Sequence, residues 1–183
     1  MHHPILTRST LALAVVLGAC AGTAWATGKA HEHGALKLDV AIEGNKLTIE
    51  MEAPLDNLLG FERAPRTDAE RKAAADVLAR LRSREKGTPL FVVDAAAQCT
   101  LDKAEVRAPV LEPGASPASK DGHADLDANY GFTCAKPDEL RTLDVGLFDA
   151  YKRIQRIDVQ VAGPKGQARV TLKRPAFRVQ LVR

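Results

Sequence analysis

Aromatic side chains are scarce. Phe, Trp and Tyr together make up 4% of the 183 residues, too few to floor a groove that stacks sugars or nucleobases. Neither sign of charge prevails: 26 basic against 23 acidic residues leave a formal net charge of +3. That balance argues against a dedicated nucleic-acid binder, which needs a dense basic surface. No apolar run approaches the ~20 residues that a membrane-spanning helix requires. There is no Gly-x-Ser-x-Gly elbow and no phosphate-cradling glycine loop. Beyond the first thirty residues the serines are Ser83, Ser116 and Ser119, and none adjoins a histidine. The sequence therefore reads as non-enzymatic. What is present is a globular composition, 45% apolar and 27% charged, sufficient to bury a core in one domain.

The amino-terminal segment is set apart from the rest. Residues 1–26 hold one charged side chain, Arg8, followed by an apolar run from Leu11 to Ala21 and then Ala24-Trp25-Ala26. This is the pattern of a cleaved secretory signal peptide. A second signal competes with it. Leu17-Gly18-Ala19-Cys20 resembles a lipobox, and processing there would lipidate Cys20 and tether the protein to a membrane. Cleavage after Ala26 leaves residues 27–183 as a single domain with 25 basic and 23 acidic residues. It also leaves two cysteines, Cys99 and Cys134. In an exported chain such a pair reads as a disulfide, closing a loop of about 36 residues at a gain of about 3–4 kcal/mol. A thiolate zinc site is the alternative, but it needs reduced cysteines.

Period-two alternation dominates the mature chain. Leu36, Leu38, Val40 and Ile42 alternate with polar or small neighbours, Gly44-Asn45 turns the chain, and Leu47, Ile49 and Met51 alternate again. These predict a β-hairpin. Asp56 to Pro65 reads as a loop. Thr67 and Glu70 form a capping-box signature before a helix predicted over 68–86, with Val77, Leu78 and Leu81 on its apolar face and Gly87 and Pro89 ending it. Further strands are expected at 90–93, 98–107, 124–134, around Leu143, Val145 and Leu147, at 157–161, at 170–172 and at 177–182, with a helical turn at 149–153. Pro109, Pro113, Gly114, Pro117 and Gly122 mark a flexible polar loop at 108–122. The segments 38–44 and 157–163 echo one another, so two related halves are one reading and two similar hairpins the other. Either way the fold class is α+β, β-rich and mostly antiparallel, with one long amphipathic helix.

One cluster carries chemistry. His31-Glu32-His33 places two imidazoles two residues apart, on one side of an extended backbone. His123, the other histidine of the mature chain, opens a strand holding Asp125 and Asp127 at the same spacing. If these segments converge, His31, His33 and His123 supply three nitrogens and Asp125 or Glu32 an oxygen, a donor set suited to zinc. Such ligands compete with protons, so affinity is expected to fall below about pH 6. The plain alternative is a solvated tail beside a cleavage site.

The strings His31-Glu32-His33-Gly34-Ala35-Leu36-Lys37-Leu38 and Ala53-Pro54-Leu55-Asp56-Asn57-Leu58-Leu59-Gly60-Phe61-Glu62 resemble the bacterial periplasmic zinc-uptake accessory family typified by ZrgA. So do His123-Ala124-Asp125-Leu126-Asp127, Leu147-Phe148-Asp149 and Gly163-Pro164-Lys165-Gly166-Gln167. The resemblance spans essentially the whole mature chain. It implies a periplasmic protein that binds zinc and supports its import. The partner it implies is the solute-binding component of a zinc ABC importer. By position it makes His31, His33, His123 and Asp125 the metal ligands, and it matches Glu62 without assigning a role. Two features depart from the family pattern. Arg63 stands where a histidine is usual, and the middle loop lacks a histidine- and aspartate-rich run. A single site is therefore expected rather than a multi-zinc reservoir. The rival is a periplasmic protein-interaction module that has lost its zinc role with that loop.

Overall fold

In the computed structural model, which describes residues 32–84, 90–112 and 124–181, alternation builds most of the architecture. β1 (Ala35–Glu43) turns Leu36, Leu38, Val40 and Ile42 inward, and β2 (Lys46–Pro54) does the same with Leu47, Ile49, Met51 and Ala53. Gly44, at φ +58, supplies the tight turn that pairs Glu43 with Lys46. The sheet grows through β4 (Cys99–Arg107), β5 (Asp125–Cys134), β7 (Arg156–Gly163) and β8 (Gly166–Leu172). Its six strands run in the order β4-β5-β2-β1-β7-β8. All neighbours are antiparallel except β1 and β7, which lie parallel with Leu38 beside Val159. The echoing segments are thus adjacent hairpins of one sheet, and the described residues all belong to one compact unit, His31–Arg183.

A second, three-stranded sheet joins β3 (Phe91–Val93), β6 (Thr142–Val145) and β9 (Arg178–Gln180) in the order β3-β6-β9. One apolar cluster takes in the inward face of the large sheet, Leu81 of the long helix, and Phe91, Leu143, Val145 and Val179 of the small sheet. The Phe91 and Tyr130 rings meet edge to face at 5.0 Å, and the Tyr130 hydroxyl donates to the Leu81 carbonyl. Burial holds the Tyr130 phenol well above its ordinary range and pushes Tyr151 up to about 12. Each fully buried aliphatic side chain contributes about 1.5–3 kcal/mol. The outer face of the large sheet is polar, with Lys37, Asp39, Glu50, Glu105 and Asp127 exposed.

The long helix, α2, spans Asp68–Arg82. Its cap is the expected one: Thr67 accepts from the Glu70 N–H, and Glu70 reaches back to the Thr67 N–H. It stops four residues short of the expected end, at Ser83 in extended conformation. Gly87 and Pro89 lie outside the described residues. α2 packs along β4, where Arg82 donates to the Val106 carbonyl.

Two expectations are corrected. The loop predicted from Asp56 begins instead as a short helix, α1 (Leu55–Leu59), closed by Gly60 in the left-handed region at φ +84. Leu147 does not continue the strand of Leu143 and Val145. Gly146 ends that strand, and Leu147 opens a helical turn, α3 (Leu147–Ala150). Cys99 and Cys134 face each other across β4 and β5 and are joined, with Cα atoms 3.8 Å apart, so neither sulfur is a thiolate donor. The predicted signal segment 1–26 and most of the 108–122 loop lie outside the described residues, although Pro109–Leu111 form a 3-10 turn. Among the described residues no helix is long and apolar enough to cross a membrane.

Candidate metal centre

Three strand ends meet at one end of the large sheet. β1 starts where β2 finishes, with Lys37 opposite Glu52. On the far side of β2, Pro54 stands opposite Asp125, and the Leu55 N–H donates to the Ala124 carbonyl at 2.9 Å. β1 and β5 are therefore separated by one strand, about 10 Å at the ordinary strand spacing. His31 and His123 lie outside the described residues. Their described chain neighbours, Glu32 and Ala124, lie at this same end.

His33 is not on an extended arm, as the His-x-His spacing suggested. It occupies a turn, Glu32 to Ala35, closed by the Ala35 N–H donating to the Glu32 carbonyl at 3.0 Å. Gly34, at φ +82, fills the third position, which a side chain would strain. A Cβ there would also press within 3.3 Å of Gln155 Cγ. The turn is clamped from both sides. Buried Asn57 of α1 accepts from the Gly34 N–H and donates to the Ala35 carbonyl, each at 2.6 Å. The Gly34 carbonyl accepts from the Gln155 and Arg156 N–H groups.

Glu32, one of two oxygen donors suggested by spacing, is committed elsewhere. Arg156 grips both its oxygens at 2.8 and 2.6 Å while its Nε donates to Asp158. Those hydrogen bonds hold the Glu32 carboxyl below its ordinary range. The carboxylates that flank His33 are two others. Its Nδ1 is 3.9 Å from Asp56 Oδ2, and its Nε2 is 3.3 Å from Glu62 Oε1. The imidazole itself is well exposed, whereas both carboxylates are nearly buried. Asp56 sits in the first turn of α1. Arg153 fixes it through Nη2 to both carboxylate oxygens, at 2.8 and 3.0 Å, and through Nε to its carbonyl.

This geometry can be tested against zinc. Two donors on one tetrahedral zinc, each about 2.1 Å from the ion, stand about 3.4 Å apart. The 3.3 Å between His33 Nε2 and Glu62 Oε1 matches that separation. Asp56 lies on the Nδ1 side, at 3.9 Å and so beyond direct hydrogen-bond reach. Among the described residues no group of three or more His, Cys, Asp or Glu side chains converges to hold a metal, so these residues offer a pair of donors rather than a full set. Asp125 is half-buried at the head of β5, with its Oδ1 shielded from solvent.

Spacing alone gave Asp56 and Asn57 no role. Their signal was Leu55, Leu58 and Leu59 at helical spacing, followed by Gly60, which marks a short helix and its C-terminal glycine.

A family model described as ZrgA family zinc uptake protein matches residues 30–181. Comparison with curated proteins gives no match.

Proposed function

Because the chain belongs to the ZrgA family of zinc uptake proteins, we propose that it serves uptake by binding a single zinc ion. The ligands are His33 and Glu62, with two of His31, His123 and Asp125 completing the tetrahedral set. The observation that carries this reading is the 3.3 Å approach of His33 Nε2 to Glu62 Oε1, the separation of two donors sharing one tetrahedral ion. The chemistry suits cargo. Imidazole and carboxylate bind zinc, and no thiolate takes part, because Cys99 and Cys134 are joined to each other. The role is carriage rather than catalysis.

The site of action is the periplasm. A disulfide persists in an oxidising compartment, and the amino-terminal segment has the composition of an export signal. The receiving partner is the solute-binding component of a zinc ABC importer, to which the ion passes by ligand exchange.

Calorimetric titration of the mature protein with zinc tests the reading. The expected result is a stoichiometry near one, with affinity lost in His33→Ala and sharply reduced in Glu62→Gln. Wild-type affinity in both variants removes the site. No binding at all by the unaltered protein leaves an interaction module without metal.

A further inference from the structure

We infer that the Arg63–Glu70 ion pair is a positioning device for the proposed zinc site, holding the segment that presents Glu62 to His33. This rests on the zinc reading above.

The segment joins α1 to α2 and is pinned at both ends. At its start Gly60 closes α1, its N–H donating to the Asp56 carbonyl. At its end one carboxylate collects the chain. Glu70 accepts from Arg63 Nη1 and Nη2 at 2.9 and 2.7 Å, from the Arg66 N–H at 2.6 Å and from the Thr67 N–H at 3.3 Å. A capping box requires only the Thr67 bond. The other three exceed what the helix end needs, and they fasten the residues just after Glu62.

The fork of Arg63 suits this task. Its guanidinium meets the carboxylate with two parallel bonds, a geometry that fixes direction as well as distance. It also lies over the Phe61 ring at 4.9 Å, and Nη1 donates to the Ala64 carbonyl. Phe61 and Arg63 thus pack together, and Glu62 between them meets His33. Arg63 cannot ligate a cation. Paired with Glu70, its charge is also neutralised one residue from a proposed ligand. The pair is partly sheltered, with side chains 34% and 23% exposed. That sets it apart from the more exposed pairs of α2, such as Lys72 with Asp76.

The test uses the mature full chain, zinc affinity by competition with a chromophoric chelator, and the visible spectrum of the cobalt-loaded protein. Glu70→Gln is expected to weaken zinc binding about tenfold, as loss of an outer support does, and to alter the cobalt spectrum. Arg63→Lys, which keeps the charge but loses the fork, is expected to fall between Glu70→Gln and the unaltered protein. Thr67→Ala breaks the same helix cap without touching Arg63. It should lower the melting temperature and leave zinc affinity within about twofold, separating position from stability. In a Glu62→Gln background the Glu70→Gln penalty should disappear, because the pair acts through Glu62. Wild-type affinity in Glu70→Gln, or a penalty that persists without the Glu62 carboxylate, overturns the inference while leaving the site intact. Wild-type affinity in both Glu62→Gln and His33→Ala overturns the site itself.

Discussion

Replacing both Cys99 and Cys134 by alanine removes a crosslink between adjacent strands β4 and β5. The loop closed by that bond has about 36 residues, and the chain-entropy relation gives about 13 cal/mol/K, or about 3.8 kcal/mol at 25 °C. The effect resides in the unfolded chain, because register and neighbouring contacts already hold the strands together in the folded one. For a domain of this size each kcal/mol moves the melting temperature by about 2–4 °C, so the double variant should melt roughly 8–15 °C lower. Thermal melts followed by circular dichroism measure this, and urea titration measures its origin. The unfolded ensemble expands once the crosslink is gone, so the urea slope should rise. Zinc affinity should be preserved. The bond lies at the end of β5 remote from Asp125, and a ten-residue strand spans roughly 30 Å. A fall of less than about 3 °C with an unchanged urea slope would refute the entropic account.

Asn57→Ala strips two hydrogen bonds from the turn that carries His33 and leaves partly buried backbone groups unpaired. A loss of about 2–4 kcal/mol in chemical denaturation is expected, with weaker zinc binding in the same titration. Leu38→Ala, at the centre of β1 with no solvent exposure, should cost about 2–5 kcal/mol in stability and leave zinc stoichiometry unchanged. Acid stability depends on Glu70, whose carboxyl is lowered to about 2, first by the Arg63 hydrogen bonds and then by the Arg66 N–H. A folded value below the unfolded one means that its contribution is complete above about pH 4.5 and is lost as pH falls towards 2. Melting temperatures between pH 5 and 2 should therefore fall less steeply in Glu70→Gln than in the unaltered protein.

Much of this fold is legible because local pattern and long-range packing agree. Leu36 to Ile42 and Leu47 to Met51 alternate without a break, and one side of each strand is buried. Thr67 and Glu70 announced α2 because a capping box is a local device. α1 was hidden for the opposite reason. It has five residues, and its two polar members are buried only because distant groups meet them. Asp56 is met by Arg153, 97 positions away, and Asn57 by the backbone of Gly34 and Ala35. Leu147 followed the alternation of Leu143 and Val145, and only Gly146 marked the break. At the candidate site His33 stands out in the sequence by its type and spacing, but its turn and its carboxylate neighbours depend on tertiary contacts. Glu32, nearest in sequence, belongs to Arg156. Glu62, distant in sequence, stands at the imidazole. The order of the large sheet, with β7 beside β1, leaves no trace in periodicity.

That parallel pairing also governs when the protein can take shape. Asp39 accepts a hydrogen bond from Gln160 across 121 positions, so β7 and β8 cannot join the other four strands until the last third of the chain has arrived. A lone hairpin is barely stable in water, and pairings this remote place folding in the millisecond-to-second range. A chain emerging from its amino terminus therefore leaves its large sheet unfinished, with one edge of β1 unpaired, until nearly all of it has appeared.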